Sequence, residues 1–254
     1  MWWVALAPAA YVLGTFPSAA IVASASGVDI TTSGSGNPGA SNVTRTLGWR
    51  KGVLVFALDA LKGAIAALVG LWLGGRAGGY VLGGAAIVGH VFPLGFTPGF
   101  WARVLASRGR SSQGRDRSKT RRGGASCEDR GRREGRHPAD ETPAESRRGP
   151  LWRGLRGGKG VATGGGVIAV IHPIVGVAVG AIWLGVSRLT GKAAIASIAA
   201  VVAAPIALAI AGAPAWEFAA MVGLCSLLVV RHAGNIKRIL RREERGIGHE
   251  GTAA

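Results

Sequence analysis

The sequence predicts an all-α integral membrane protein of about seven transmembrane helices, two of them short. Three observations carry this reading. First, 48% of the 254 residues are apolar, 42 are glycine, and mean hydropathy is positive. Second, apolar runs of helix length recur along the chain, and a bilayer core about 30 Å thick needs ~20 residues per helix. The period-2 alternation of a closed β-barrel is absent. Third, charge is segregated. Residues 103–156 hold 16 of the 30 Lys and Arg and seven of the 13 acids, and the other cations sit at the ends of apolar runs. A net charge of +17 would point to nucleic acid in a soluble chain. This distribution instead follows membrane topology and argues against a nucleic-acid partner. Cys127 and Cys225 are far apart and make neither a disulfide framework nor a zinc site.

Trp2 to Ala25 is the first expected span, opened by two tryptophans that suit the membrane interface. It lacks a basic start and outruns a signal peptide, so it is read as retained. Pro8 and Pro17 are tolerable where neighbours re-satisfy the backbone. A small, polar, glycine-rich loop follows, from Ser33 to Arg45. Gly52 to Leu73 is the second span, carrying Asp59 and Lys62 on one helix face. Gly74 to Gly79 reads as a tight turn, and Tyr80 to Phe96 as a third span containing His90. From Arg103 to Trp152 the chain is mostly Arg, Gly, Ser and Glu, cannot bury a core, and is expected to be disordered. Order resumes near Leu155. Gly160 to Val186 is too short for two full spans of ~20 residues. It predicts two short helices turning at His172-Pro173, or a re-entrant element buried in protein. Ala193 to Ala211 and Trp216 to Val230 are two further spans, and a basic tail starts at Arg231.

The chain thus divides into a first membrane part (1–102), a disordered basic insertion (103–154), a second membrane part (155–245) and a disordered tail (246–254). The positive-inside rule places Arg45, Arg50, Lys51, the insertion, Lys159, Arg188, Lys192 and Arg231 to Arg245 on the cytoplasmic side, with the N-terminus outside. Three polar loops then share the cytoplasmic face.

Each loop carries groups that suit an anion. The first, with Gly34, Ser35, Gly36, Asn37, Gly39, Ser41 and Asn42, exposes backbone N–H groups, and Asn and Pro order it locally. Its Gly-x-Gly-x-x-Gly spacing is not a dinucleotide fingerprint, because an apolar helix rather than a strand precedes it. Gly157-Gly158-Lys159-Gly160 is not a P-loop, since Gly160 replaces the required Ser or Thr. Glycine N–H groups and one flexible ammonium can still grip phosphate, and Val161 can open a helix whose N-terminus favours anions. Asp59 and Lys62 are either a pair neutralising each other in the bilayer or the edge of a cavity. His90 faces that cavity or a helix interface. His172 reads as structural. His232 and Asn235, three apart where the last span meets the cytoplasm, can hold or deprotonate a hydroxyl and donate to a developing oxyanion. The chain has no Gly-x-Ser-x-Gly elbow, His-Glu-x-x-His, Cys-x-x-Cys or His-x4-Asp.

Taken together, these loops resemble those of the bacterial acyl-phosphate-dependent glycerol-3-phosphate acyltransferases, the PlsY family. Gly34 to Val43 with Arg45 and Leu47-Gly48 look like its first motif, followed by Asp59-x-x-Lys62-Gly63. Gly89-His90-x-Phe92-Pro93 and Gly157 to Thr163 look like the two halves of the second. His232-x-x-Asn235-Ile236-x-Arg238 and Glu244 look like the third. The resemblance implies a seven-helix membrane enzyme of the bacterial inner membrane with a cytoplasmic site. It would move a fatty acyl group from acyl phosphate to the 1-hydroxyl of glycerol 3-phosphate, without metal or other cofactor. It assigns catalytic roles to His232, Asn235, Ser35 and Arg45. It assigns substrate contacts to Gly34, Gly36, Asn37, Gly39, Ser41, Asn42, Lys62, His90, Gly157, Gly158, Lys159, Gly160, Thr163 and Arg238. It also implies a functional link to the enzyme that supplies acyl phosphate. Two departures stand out. The second motif is split by about 50 Arg-rich residues, tolerable because loop-closure entropy grows only logarithmically, and their charge suits anionic lipid head groups. Arg242 stands where the family usually has Gly, so no role carries over to Glu244. The rival reading is a transporter of a small organic phosphate, against which stands the absence of an internal repeat. A lipid-binding scaffold would explain the insertion but not the loops.

Overall fold

The computed structural model describes residues 1–93 and 157–248. The expected insertion at 103–154, residues 249–254 of the expected tail, His137 and His249 lie outside them. Every regular element among the described residues is a helix, with no strand. A 3-10 segment, Trp2–Leu6, leads into α1 (Ala7–Gly14), and α2 (Ser18–Ser24) continues it past a break at Pro17. Then come α3 (Ala40–Leu47), α4 (Trp49–Val91), α5 (Val161–Ile171), α6 (Pro173–Thr190), α7 (Ala193–Ile210), α8 (Ala215–Arg231) and α9 (Ala233–Leu240).

The two prolines of the first span act differently. Pro8 lies in the first turn of α1, where its missing N–H costs nothing, whereas Pro17 caps α2 and divides the span. The long α4 is two legs. Gly75 takes φ 60, a backbone that side chains rarely adopt, and the chain reverses there. In one continuous helix Gly70 and Gly78 would stand ~12 Å apart. Instead a Cβ on Gly70 would lie 2.2 Å from the Gly78 carbonyl oxygen. The reversal thus falls inside the stretch expected to turn. The break at His172-Pro173 is also present, separating α5 from α6 at His172. Gly176 comes so near Ala169 that the two helices fold back on each other.

Small residues set the helix spacing, as in membrane bundles generally. Added Cβ atoms on Gly63 and Gly166 would lie within 2.2 Å of backbone on the facing helix, so α4 and α5 meet backbone to backbone. Gly14 and Gly89 do the same between α1 and the second leg of α4. The main core joins Tyr80, Ile87 and Val91 of α4 to Val167, Ile168 and Ile171 of α5, Val201 and Leu208 of α7, and Met221 and Leu228 of α8. Large apolar side chains outside it, among them Trp72, Ile174, Val177, Leu189 and Ile210, are exposed and form the lipid-facing surface of an integral membrane protein. Among the described residues four helical stretches are long and apolar enough to cross a membrane: Trp2–Ser24, Trp49–Val91, Pro173–Thr190 and Ala193–Ile210. The pair α8 and α9, bent by 58°, makes a fifth if it is one span.

Candidate active site

The first polar loop is tied by one buried side chain, Asn42. Its Nδ2 donates to the Ile30 and Ser33 carbonyls (3.3 and 3.0 Å), and its Oδ1 accepts from the Ser35 N–H (2.9 Å). Asp29 holds the preceding turn through the Thr31 N–H (2.9 Å) and hydroxyl (2.7 Å). Asn42 therefore shapes the loop from within. Gly34 makes room for it, because a Cβ there would lie 2.5 Å from Asn42 Oδ1. The loop ends at Gly39, the cap of α3, so Ser35, Asn37, Gly39, Ala40, Ser41, Asn42 and Arg45 line a polar cavity.

The second loop is pressed against the end of α4. The Gly157 N–H donates to the Val91 carbonyl (3.1 Å), and Arg231 Nη2 donates to the Gly157 carbonyl (3.1 Å). A Cβ on Gly158 would lie 2.1 Å from His90 Nε2. This contact is why the loop needs glycine, and it delivers Lys159 to the cavity. Burial pushes the Lys159 ammonium down to about 8; Glu244 opposes this, and Arg238, Arg45 and Arg231 add to it.

The third group lies where α8 bends into α9. His232 is buried, and its Nδ1 donates to the Leu228 carbonyl (2.8 Å). That bond leaves Nε2 as the lone-pair nitrogen of a ring that lines the cavity. Asn235 Nδ2 donates to Glu244 Oε1 (2.8 Å), and Arg238 Nε to Glu244 Oε2 (2.9 Å). Glu244 gets there because Arg242 takes φ 60, the left-handed backbone glycine would favour. Residues 246–248, expected in a disordered tail, run on as a strap. The Ile247 N–H donates to the Gly191 carbonyl (2.7 Å), and Arg45 Nη1 donates to the Gly246 carbonyl (3.4 Å).

Not every expected site residue reaches this cavity. Lys62 is locked between Asp59 (2.8 Å) and the Phe16 carbonyl (3.1 Å), while Ser18 also donates to Asp59. The pair thus joins the α1–α2 break to α4, and Asp59 rather than Lys62 lines the cavity, along with His90, whose Nδ1 is 3.6 Å from Asp59. Thr163 is fully buried against Gly63. Gly157, Gly158 and Arg238 support the wall from behind. Phe56, Trp183 and Ser197 line the cavity and escaped the reading of the loops, and Glu244, matched to the third motif without a role, lines it too. The rings of Phe56 and Trp183 stand 6.0 Å apart, and Trp183 Nε1 donates to Ser197 Oγ (3.2 Å). A lone Trp in the apolar run before Arg188, and a Ser in an Ala-rich span, were the available signals.

Through Phe56, Val161, Ala162 and Trp183 the polar cavity adjoins an apolar groove of about 490 Å³. Glycines of α5 and α6, with Ala200, Val201, Met221 and Leu228, line it. The site therefore pairs a cationic, amide-rich head with a hydrocarbon-like extension.

Comparisons with known proteins agree with this geometry. The profile of the family described as glycerol-3-phosphate acyltransferase matches residues 4–99 and 147–242. A glycerol-3-phosphate acyltransferase of Aquifex aeolicus is 31% identical over 92% of this chain and 94% of its own length. One from Maricaulis maris is 32% identical over 96% and 88%. The crystal structure of PlsY (YgiH), an integral membrane glycerol 3-phosphate acyltransferase, in its glycerol 3-phosphate form superposes with a TM-score of 0.71 at 30% identity, covering 98% of this chain and 96% of that one. Its lysophosphatidic acid form gives 0.70. This chain belongs to the glycerol-3-phosphate acyltransferase family.

Proposed function

We propose that this protein transfers a fatty acyl group from acyl phosphate to the 1-hydroxyl of sn-glycerol 3-phosphate, giving lysophosphatidic acid and phosphate. The observation that carries the reading is the junction of a cationic cavity with an apolar groove, since both substrates are anions and one has a hydrocarbon tail. Phosphate monoesters carry about −1.5 to −2 charge at pH 7. Lys159, with Arg45 near it, suits the glycerol phosphate. The loop of Ser35, Asn37 and Ser41 and the start of α3 suit the phosphate of the donor. The acyl chain then runs past Phe56 and Trp183 into the groove. In the transfer the hydroxyl oxygen bonds to the acyl carbon, and the bond from that carbon to the phosphate oxygen breaks. The hydroxyl proton goes to His232 Nε2 or to the departing phosphate. Acyl phosphate is already activated, so positioning and charge stabilisation do most of the work. Asn42, Asn235 and Glu244 act by holding the walls.

The cation-rich rim supports a bacterial inner-membrane enzyme with the site and C-terminus cytoplasmic and the N-terminus outside. An enzyme making acyl phosphate is the implied functional link, and the Arg-rich segment 103–154 has charge suited to anionic head groups. The test uses purified full-length protein in detergent with palmitoyl phosphate and glycerol 3-phosphate, following phosphate release and lysophosphatidic acid together. Equal release of both is the expected result. Folded protein that yields neither overturns the reading, and uptake of glycerol 3-phosphate into vesicles without turnover would establish a transporter instead.

A further inference from the structure

The groove has a far end that the transfer itself does not use. The groove's walls are wide because α5 and α6 present glycines along it: Gly164, Gly165 and Gly166 on one, Gly176 and Gly180 on the other. At the bottom stands one large residue with a polar tip, Tyr80. It lies ten residues before His90 on the same helical leg, so ~15 Å below the cavity. Val161 and Ile171, at the two ends of α5, give the groove the same depth of ~15 Å.

Tyr80 is not free to swing aside. Its hydroxyl is 3.1 Å from His172 Nε2, and its ring packs edge-on against Trp216 at 5.7 Å. His172 Nε2 lies 3.0 Å from Glu217 Oε2, and Glu217 Oε1 accepts from Arg76 Nη1 at 3.2 Å. Glu217 is 1% exposed, so moving Tyr80 disturbs a buried carboxylate and its partners. A methylene pushed past the ring would desolvate this polar cluster without replacing its bonds.

We infer that Tyr80, pinned by His172, Glu217 and Arg76, is the floor of the groove and sets the longest acyl chain the enzyme handles well. The inference rests on the acyl-phosphate reading above. A chain that fits reaches the ring; a longer one must bend out toward lipid and forgoes burial.

The test compares kcat/KM for lauroyl, myristoyl, palmitoyl and stearoyl phosphate in the wild type, Tyr80→Ala, Tyr80→Leu and Gly180→Leu. Ratios between chains are taken relative to the wild type, which cancels their different partitioning into detergent. Tyr80→Ala is expected to raise the stearoyl-to-palmitoyl ratio roughly tenfold, the worth of burying two more methylenes. Tyr80→Leu shifts it in the same direction by less, and is the milder change if the alanine variant does not fold. Gly180→Leu places a side chain where an added Cβ meets nothing within 4 Å, and should move the preference toward myristoyl. Wild-type turnover with all four profiles superimposed overturns the inference. A wild type that makes no lysophosphatidic acid from any of the donors overturns the reading beneath it, which is a different result.

Discussion

At the end of the bundle away from the cavity, Glu217 meets Arg76, His172 and, through His172, Tyr80, so acid and cation are matched one to one. At the cavity, Glu244 is bound just as closely by Asn235 and Arg238, yet Lys159, Arg45 and Arg231 crowd the same region. Asp59 does not offset them, because Lys62 already matches it. The two clusters use the same residue types and differ in balance. The matched one closes a wall. The second holds more cation than acid among the described residues and becomes more favourable when an anion arrives, and burial pushing the Lys159 ammonium down to about 8 is the trace of its cost when empty.

Removing the Lys159 charge is the strongest way to break this contrast. Lys159→Ala should lower kcat/KM for glycerol 3-phosphate by about 100-fold, the worth of a charge-assisted hydrogen bond of roughly 3 kcal/mol. Thermal unfolding should be unchanged or slightly later, and normal saturation would count against the contrast. Removing the matched charge should do the reverse. Glu217→Gln is expected to cost about 2 kcal/mol, less than a fully buried pair because Arg76 is half exposed and can turn to water. The readout is a lower unfolding temperature in detergent, with the affinity for glycerol 3-phosphate retained.

A pH profile sharpens the comparison further. The Lys159 ammonium is charged below about pH 8 and neutral above it. Hence kcat/KM for glycerol 3-phosphate should be level up to that point and fall about tenfold per unit above it. The same step should be missing from Lys159→Ala. The smallest effect concerns the strap that carries Glu244. Arg242→Gly relieves a left-handed backbone and should stabilise by about 1 kcal/mol, raising the unfolding midpoint by ~2–4 °C with activity unchanged.

Much of the site was legible because polar residues are conspicuous between membrane spans. Ser35, Asn37, Gly39, Ser41, Lys159 and His232 stand out from apolar neighbours and do converge on one cavity. What the loops could not disclose was which polar groups face inward. Lys62 looks like a ligand in a string of letters, but it joins helices and does not line the cavity, whereas Asn42 lines the cavity while its amide knots the loop. Phe56 and Trp183 were hidden for the opposite reason, being apolar residues in apolar runs. Arg242 in place of glycine obscured the role of Glu244, since a side chain in the left-handed region is uncommon but affordable.

The break at Pro17 and the bend between α8 and α9 were not legible from residues alone, but the membrane-embedded helical class, the turns at Gly74 to Gly79 and His172-Pro173, and the chemistry of the three loops were. These depend on composition, hydropathy and residue type over short windows. Tertiary packing alone brought the three loops into one cavity and ran a groove from it to Tyr80. Those features depend on how closely backbones approach across distant glycines such as Gly63 and Gly166, and that spacing is set by the facing helix rather than by neighbours along the chain.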